Sequence, residues 1–100
     1  ISHLPYMLAV SLVNAAESLA DGDDLMWQLA ASGFRDTSRV AAGDIRMMTD
    51  ILMTNRPAIL DALHEAKMQL SRLADRLERN DLEGLTEAMQ AARNKRSEMF

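Results

Sequence analysis

The sequence predicts an all-α fold of about six helices. Four Gly and two Pro among 100 residues are too few for a turn-rich all-β domain. Eight Met among many Ala and Leu favour helix. Apolar residues make up 48% and charged residues 26% of the chain, so it can bury a core, and its length is that of one domain.

The first helix is predicted from Leu4 to Ala20 and is apolar on nearly all sides. A helix of this kind is buried on several sides, and so short a chain can hardly enclose it. We therefore expect a second subunit or a further domain to cover it. The helix ends at Asp21-Gly22-Asp23-Asp24, where Gly22 suits the position just past a helix end.

Three shorter helices are predicted next, over residues 25–31, 34–42 and 45–54. Ser32-Gly33 closes the first of them, because Gly commonly ends a helix. Asp36, Thr37 or Ser38 lies near the cap of the second. Gly43-Asp44 then supplies the stop and the N-cap that separate the second helix from the third.

The last two helices show the clearest periodicity. Asn55 can cap the first of them, and Pro57 falls in its first turn. Apolar residues follow at alternating steps of four and three, which we call the heptad seam: Ile59, Leu63, Ala66, Leu70, Leu73 and Leu77. After a break at Asn80-Asp81, a shorter amphipathic helix carries Leu82, Leu85, Met89 and Ala92. We expect the seam to serve as core and as oligomer interface in an intertwined homodimer.

Composition and missing motifs exclude several classes of function. The chain has no Cys, which excludes disulfides and thiolate metal sites. A net charge of −4 argues against nucleic-acid binding. No apolar run reaches the roughly 18 residues of a membrane span. Because glycine-rich phosphate loops, G-x-S-x-G and H-E-x-x-H are all missing, nothing in the chain carries out a reaction alone.

The two histidines do not predict a metal site, because no further ligands stand near either at ligand spacing. His64 lies one step off the heptad seam, where a solvated or half-buried side chain is expected. His3 lies in an otherwise apolar helix and is the better functional candidate.

The cations of residues 1–55 are Arg35, Arg39 and Arg46, and all lie in or beside one polar stretch. Asp36 and Arg39 are three apart, so on a helix they share a face and can pair. One interpretation is a surface ion pair worth about 0–1 kcal/mol. The other is that Asp36 holds Arg39, which offers its guanidinium to a carboxylate or phosphate ligand.

Four segments carry a resemblance to a known family: Ser2-His3-Leu4-Pro5, residues 32–41, Asp50-Ile51 and Asn55-Arg56. Together they resemble the C-terminal helical dimerisation domain of the prephenate/arogenate dehydrogenase family, a domain similar to those of 6-phosphogluconate-dehydrogenase-like enzymes. The run G-F-R-D-T-S-R is the specific element. The resemblance covers residues 1–65 well, and residues 66–100 match only in being helical.

The resemblance implies that residues 1–100 are the C-terminal dimerisation and substrate-wall domain of a cytoplasmic homodimer. An N-terminal Rossmann domain, absent from this chain, would bind NAD or NADP. The reaction would be oxidative decarboxylation of prephenate or arogenate in tyrosine biosynthesis. The family's catalytic His belongs to the missing domain, so neither His3 nor His64 has that role, and the chain alone is expected to be inactive.

The resemblance also implies which residues bind the substrate. Arg39 matches the family's substrate-binding Arg, and Asp36 would hold Arg39 while the site is empty, as a gating ion pair. The remaining residues of the implied substrate wall are Ser2, His3, Tyr6, Ser32, Gly33, Gly43 and Met48.

Two positions depart from the family pattern. Many relatives read S-H-L-P-H, and Tyr6 stands here in place of the second His. Because Tyr carries no positive charge at neutral pH, the site is expected to prefer arogenate, which bears an ammonium group, over prephenate. Met48 stands where many relatives have Trp, and its flexible side chain is expected to make that wall of the substrate site more adaptable.

Two other interpretations stay open. The chain would be a stand-alone helical dimeric interaction module if Ile1 followed a start codon directly, and part of a dehydrogenase if a Rossmann sequence preceded it. Since Ile1 is not Met and lies close to a predicted helix, we expect a piece of something longer or a processed product. The second is an enzyme that joins a Rossmann domain to a related helical domain but catalyses another reaction, such as a 3-hydroxyacid dehydrogenase. The run G-F-R-D-T-S-R argues against this interpretation.

Overall fold

The computed structural model describes residues 3–20 and 31–100. That part of the chain contains five α-helices, one 3-10 helix and no strand, which confirms the all-α prediction. The predicted helix over 25–31 lies outside the described residues, apart from Ala31. The elements are α1 (Leu4–Ala20), α2 (Ala31–Ser38), the 3-10 helix (Arg39–Ala42), α3 (Ile45–Thr54), α4 (Arg56–Glu78) and α5 (Leu82–Met99).

The predicted helix stop at Ser32-Gly33 is wrong, because α2 runs through both residues. A Gly inside a helix costs only about 1 kcal/mol relative to Ala, and α2 packs against α1, which can offset that cost. Gly33 is exposed, and outside its own helix backbone and chain neighbours no described atom lies within 4 Å of the position of an added Cβ.

The predicted helix over 34–42 is divided in two at Ser38. The α-helix ends there, and Arg39–Ala42 continues as a 3-10 helix. Ser38 makes no side-chain cap. Its Oγ instead donates to the carbonyl of Phe34 at 2.6 Å, a backbone bond that competes with capping.

The predicted cap at Asp44 is confirmed, and a second aspartate cap lies at the predicted break Asn80-Asp81. Asp44 Oδ1 accepts from the amide of Met47 at 3.1 Å and begins α3. Asp81 Oδ1 accepts from the amide of Gly84 at 2.9 Å and begins α5. Between α4 and α5, Asn80 has a φ of 56°, a left-handed conformation that Asn tolerates better than most residues.

Asn55 differs from the prediction, because its side chain does not cap α4. Its Nδ2 donates to the carbonyl of Ile51 at 2.9 Å and so closes α3. Its own carbonyl accepts from the amide of Ile59 at 3.0 Å, the first hydrogen bond of α4. A single residue therefore ends one helix and starts the next.

The described residues divide into two compact units, residues 1–63 and residues 64–100. In the first unit, α1 packs against α2 and the 3-10 helix, and Ala9 and Ile59 are buried. Most other apolar side chains of α1 are half-buried, although Leu19 is 73% exposed. The predicted burial of α1 on nearly all sides is therefore incomplete in the single chain.

The second unit contains α4 from His64 onward and α5. All of residues 64–100 are described, and none of them is buried. Two ion pairs lie on its surface, Arg79 with Asp75 at 3.1 Å and Lys95 with Glu98 at 3.4 Å. Across the described ranges of the whole chain, no helix has the length and hydropathy needed to cross a membrane.

Candidate functional site

The junction of α1 with the 3-10 helix brings together residues that are distant in sequence. The amide of Gly43 donates to the carbonyl of Val40 at 3.2 Å and closes the turn after the 3-10 helix. The half-buried ring of Tyr6 lies against this turn, since a Cβ added to Gly43 would stand 3.8 Å from Tyr6 Cε1. We call this contact the Tyr6–Gly43 junction.

His3 lies one turn before Tyr6 and is also half-buried. His3 directly precedes α1, and its carbonyl accepts a hydrogen bond from the amide of Met7 at 3.3 Å. The structure thus places Tyr6, one of the predicted site residues, beside the turn that follows Arg39. Ser2 lies outside the described residues.

Arg39 is the first residue of the 3-10 helix, and its side chain is exposed. Asp36 is exposed in the last turn of α2, and among the described residues neither side chain forms an ion pair within 4.0 Å. The predicted pair of Asp36 with Arg39 is therefore not formed in this structure. The physical reason is that an exposed pair gains little over solvation of the separate charges, while ordering both side chains costs entropy.

The other predicted wall residues lie on α2 and α3. Ser32 and Gly33 belong to α2, and Met48 is half-buried in α3. No contact recorded for the described part of the chain joins Gly33 or Met48 to the Tyr6–Gly43 junction. Their place in one site with Arg39 stays a prediction.

The structure shows a groove that the sequence analysis did not predict. It is open, has a volume of about 160 Å³, and lies within residues 1–63. Among the described residues that line it, Arg56 is the charged one, and the apolar ones are Met7, Leu52, Met53, Ile59, Leu60 and Leu63. Arg56 lies three residues before Ile59, on the apolar face of α4, and this spacing is the signal in the sequence that indicates the groove.

Comparison with known proteins identifies the family. The family described as "Prephenate dehydrogenase, dimerization domain" matches residues 1–91. The chain belongs to this family. The resemblance read from the four segments is thereby confirmed, and the match extends well past residue 65, where the sequence analysis saw only helical character.

Individual relatives of the family agree with this assignment. The chain is 33% identical over 96 residues to the prephenate dehydrogenase of Bacillus subtilis, covering 96% of this chain and 26% of that protein. It is 31% identical over 87 residues to the cyclohexadienyl dehydrogenase of Zymomonas mobilis, covering 86% of this chain and 30% of that protein. The chain therefore spans less than a third of the length of these relatives.

A solved structure has the same fold. The crystal structure of Synechocystis arogenate dehydrogenase superposes with a TM-score of 0.91 at 33% sequence identity. The superposition covers 100% of this chain and 37% of that chain. At this identity the helical arrangement and the family assignment support one another.

Proposed function

We propose that this chain is the C-terminal part of an NAD(P)-dependent prephenate or arogenate dehydrogenase, an enzyme of tyrosine biosynthesis that oxidatively decarboxylates its substrate. The observation that carries the proposal is the position of Arg39. Arg39 is the first residue of the 3-10 helix that packs against α1, and its side chain is exposed. The members of the matching family are dehydrogenases of these substrates.

Arg39 is suited to bind a substrate carboxylate. A guanidinium is permanently charged and can donate two parallel hydrogen bonds to a carboxylate. No described residue pairs with Arg39, so its donors are available to a ligand. Asp36, in the preceding turn, does not pair with Arg39 in this structure, and it would act as a gating partner only by turning towards Arg39 in competition with the substrate.

The proposed wall around the ligand comes from three helices. Tyr6 offers a hydroxyl from α1 beside the turn after the 3-10 helix, and His3, just before α1, would offer an imidazole. Gly43 has no side chain between its backbone and the Tyr6 ring. The backbone of this turn would therefore be able to approach the ligand closely. Ser2, Ser32, Gly33 and Met48 complete the proposed wall.

The residues of this chain do not fit a nicotinamide dinucleotide. Its four glycines are too far apart to form a phosphate-binding loop. We therefore place the NAD or NADP site, together with the proton-transfer and hydride chemistry, in a domain outside this chain. What these 100 residues contribute is substrate orientation and subunit contact.

Tyr6 bears on the choice of substrate. Prephenate and arogenate differ in a side chain that ends in a keto acid in one and in an ammonium-bearing amino acid in the other. A Tyr hydroxyl offers a hydrogen bond to either but no cation to the keto acid. We propose that arogenate is the preferred substrate and that equal kcat/KM for both would contradict this preference.

The proposal includes a cytoplasmic homodimer, supported by the family's description as a dimerization domain. It is tested by expressing the longer protein that contains this chain and following reduction of NAD and of NADP with each substrate. Turnover of prephenate or arogenate is expected with one cofactor at least. Turnover of neither substrate with either cofactor overturns the proposal and leaves the chain a helical interaction module.

A further inference from the structure

We propose that Ser38 is a positioning residue for Arg39, because its hydroxyl holds the backbone from which the Arg39 guanidinium reaches the substrate. This inference rests on the proposed function, in which Arg39 binds a substrate carboxylate. It deepens that function, because it adds a residue that acts on the substrate through Arg39.

The Arg39 side chain is not held by another described side chain. It is exposed, and no ion pair within 4.0 Å joins it to a described residue. The position of the guanidinium therefore depends first on the backbone at the start of the 3-10 helix. A long side chain already loses rotamer entropy when it binds a ligand, and a loosely held backbone would add to that cost.

Ser38 is the residue at which this part of the backbone begins. It is the last residue of α2 and directly precedes Arg39, the first residue of the 3-10 helix. Its φ of −89° and ψ of −5° lie in the bridge region rather than at the centre of the α-helical region. The winding changes here from about 3.6 to about 3.0 residues per turn, so a rotation at Ser38 redirects the residues that follow.

The Ser38 hydroxyl fastens this junction to the preceding turn. Its Oγ donates to the carbonyl of Phe34 at 2.6 Å, which is short for a bond between a hydroxyl and a carbonyl. Ser38 and Phe34 are both half-buried, whereas Thr37 and Arg39 are exposed, so the bond is shielded in part from water. It therefore restrains the backbone at the point where α2 changes to the 3-10 helix.

Two threonines of α3 make the same kind of bond. Thr49 Oγ1 donates to the carbonyl of Ile45, and Thr54 Oγ1 donates to the carbonyl of Asp50, both at 2.8 Å. Because α3 continues past Thr49 and ends at Thr54, such a bond does not by itself end a helix. Ser38 differs from both in its neighbour, since the next residue carries the guanidinium that is proposed to bind the substrate.

The far end of the 3-10 helix is held by other contacts. The amide of Gly43 donates to the carbonyl of Val40 at 3.2 Å, and the Tyr6 ring lies against this turn. The 3-10 helix also packs against α1. With that end held, the hydroxyl bond of Ser38 restrains the near end, where Arg39 lies.

The test is steady-state kinetics of the longer protein that contains this chain, at saturating cofactor. Ser38→Ala is expected to raise the KM for substrate about three- to tenfold, as the loss of one hydrogen bond would. The value of kcat should stay within about twofold of wild type, because the hydride chemistry is placed in another domain. Thr37→Ala removes the neighbouring exposed hydroxyl and Thr49→Ala removes the same kind of bond on α3, so both controls should leave KM unchanged.

A pair of variants matched in shape separates the hydroxyl from side-chain packing. Thr keeps a hydroxyl that can bond the same carbonyl, and Val has nearly the shape of Thr without the hydroxyl. Ser38→Thr is expected to keep KM within about twofold of wild type, and Ser38→Val to raise it as Ser38→Ala does. Equal increases in KM for Ser38→Thr and Ser38→Val would overturn the proposal, also if Ser38→Ala does not fold.

A double-mutant cycle shows whether Ser38 acts through Arg39. In the Arg39→Ala background, Ser38→Ala should change KM by less than about twofold. An additive effect overturns the positioning role, since a general structural defect lowers substrate affinity with or without the guanidinium. If Arg39→Ala alone leaves KM unchanged, the substrate-binding role of Arg39 and this inference both fail. If Arg39→Ala raises KM and Ser38→Ala does not, only this inference fails.

Discussion

The Tyr6 ring lies against Gly43, across the junction of α1 and the 3-10 helix. A Cβ atom added to Gly43 would stand 3.8 Å from Tyr6 Cε1 and 3.4 Å from the Val40 carbonyl oxygen, both ordinary contact distances. The backbone of Gly43 has φ −68° and ψ 172°, an extended conformation open to any residue. Gly is therefore not required here by backbone conformation.

Gly43→Ala is predicted to stabilise the protein by roughly 0.4–1 kcal/mol. Ala fits both the backbone and the space, and it reduces the conformational freedom of the unfolded chain. The measurement is urea denaturation at fixed protein concentration, with wild type alongside. A loss of stability above about 1 kcal/mol would show that the Tyr6–Gly43 junction does not accept a methyl group. Gly43→Leu, which must displace the Tyr6 ring, serves as the contrasting variant.

Arg39→Ala is predicted to raise the KM for substrate about tenfold or more in the longer enzyme, because a charge-assisted contact with the substrate carboxylate is lost. Steady-state kinetics with saturating cofactor measures the effect. Arg46→Ala removes another exposed Arg, on α3, and should leave KM unchanged. An unchanged KM in Arg39→Ala would remove this residue from the site.

Asp36→Asn is predicted to lower KM by up to about fivefold. Asp36 is proposed to compete with the substrate for Arg39, and a neutral Asn at this position competes less. Because an exposed ion pair is worth about 0–1 kcal/mol, the decrease in KM is limited to about this size. The same kinetic assay applies, with Asp50→Asn on α3 as the control for loss of one exposed negative charge. A higher KM in Asp36→Asn would instead mean that Asp36 positions Arg39 for the substrate.

Asp81→Ala is predicted to destabilise the protein by about 1 kcal/mol, because the amide of Gly84 loses its cap. Thermal unfolding at fixed concentration measures the change. Asp75→Ala is the control, since it breaks only the exposed pair with Arg79 and should cost less than about 0.5 kcal/mol. Equal effects in both variants would contradict the capping role.

Predictions from sequence were most accurate where the interaction is local. The predicted cap at Asp44 uses a side chain that reaches the amide three residues ahead, and the predicted helix break at Asn80-Asp81 contains a second cap of the same kind. Gly33 was wrongly taken as a helix end, because its cost of about 1 kcal/mol is small enough for packing of α2 against α1 to offset.

Features that depend on contacts between residues distant in sequence could not be predicted from the sequence. Arg56 belongs to a segment that resembles the family. The groove that it lines is formed together with Met7 and Leu52 of two other helices, and sequence spacing along α4 does not show that contact. The heptad seam was predicted as one surface. The structure divides it by exposure, with Ile59 buried and Leu70 and Leu77 open, because only tertiary packing decides which leucines are covered within one chain.

Asn55 is the single residue between α3 and α4. Its Nδ2 is bonded back to Ile51, and its carbonyl is bonded forward to Ile59, so an extra residue at this point would break one of the two bonds and rotate everything downstream by about 100°. Insertions and deletions acquired during divergence are therefore expected to be excluded from this joint. The two hydrogen bonds of Asn55 thus fix the number of residues at this joint.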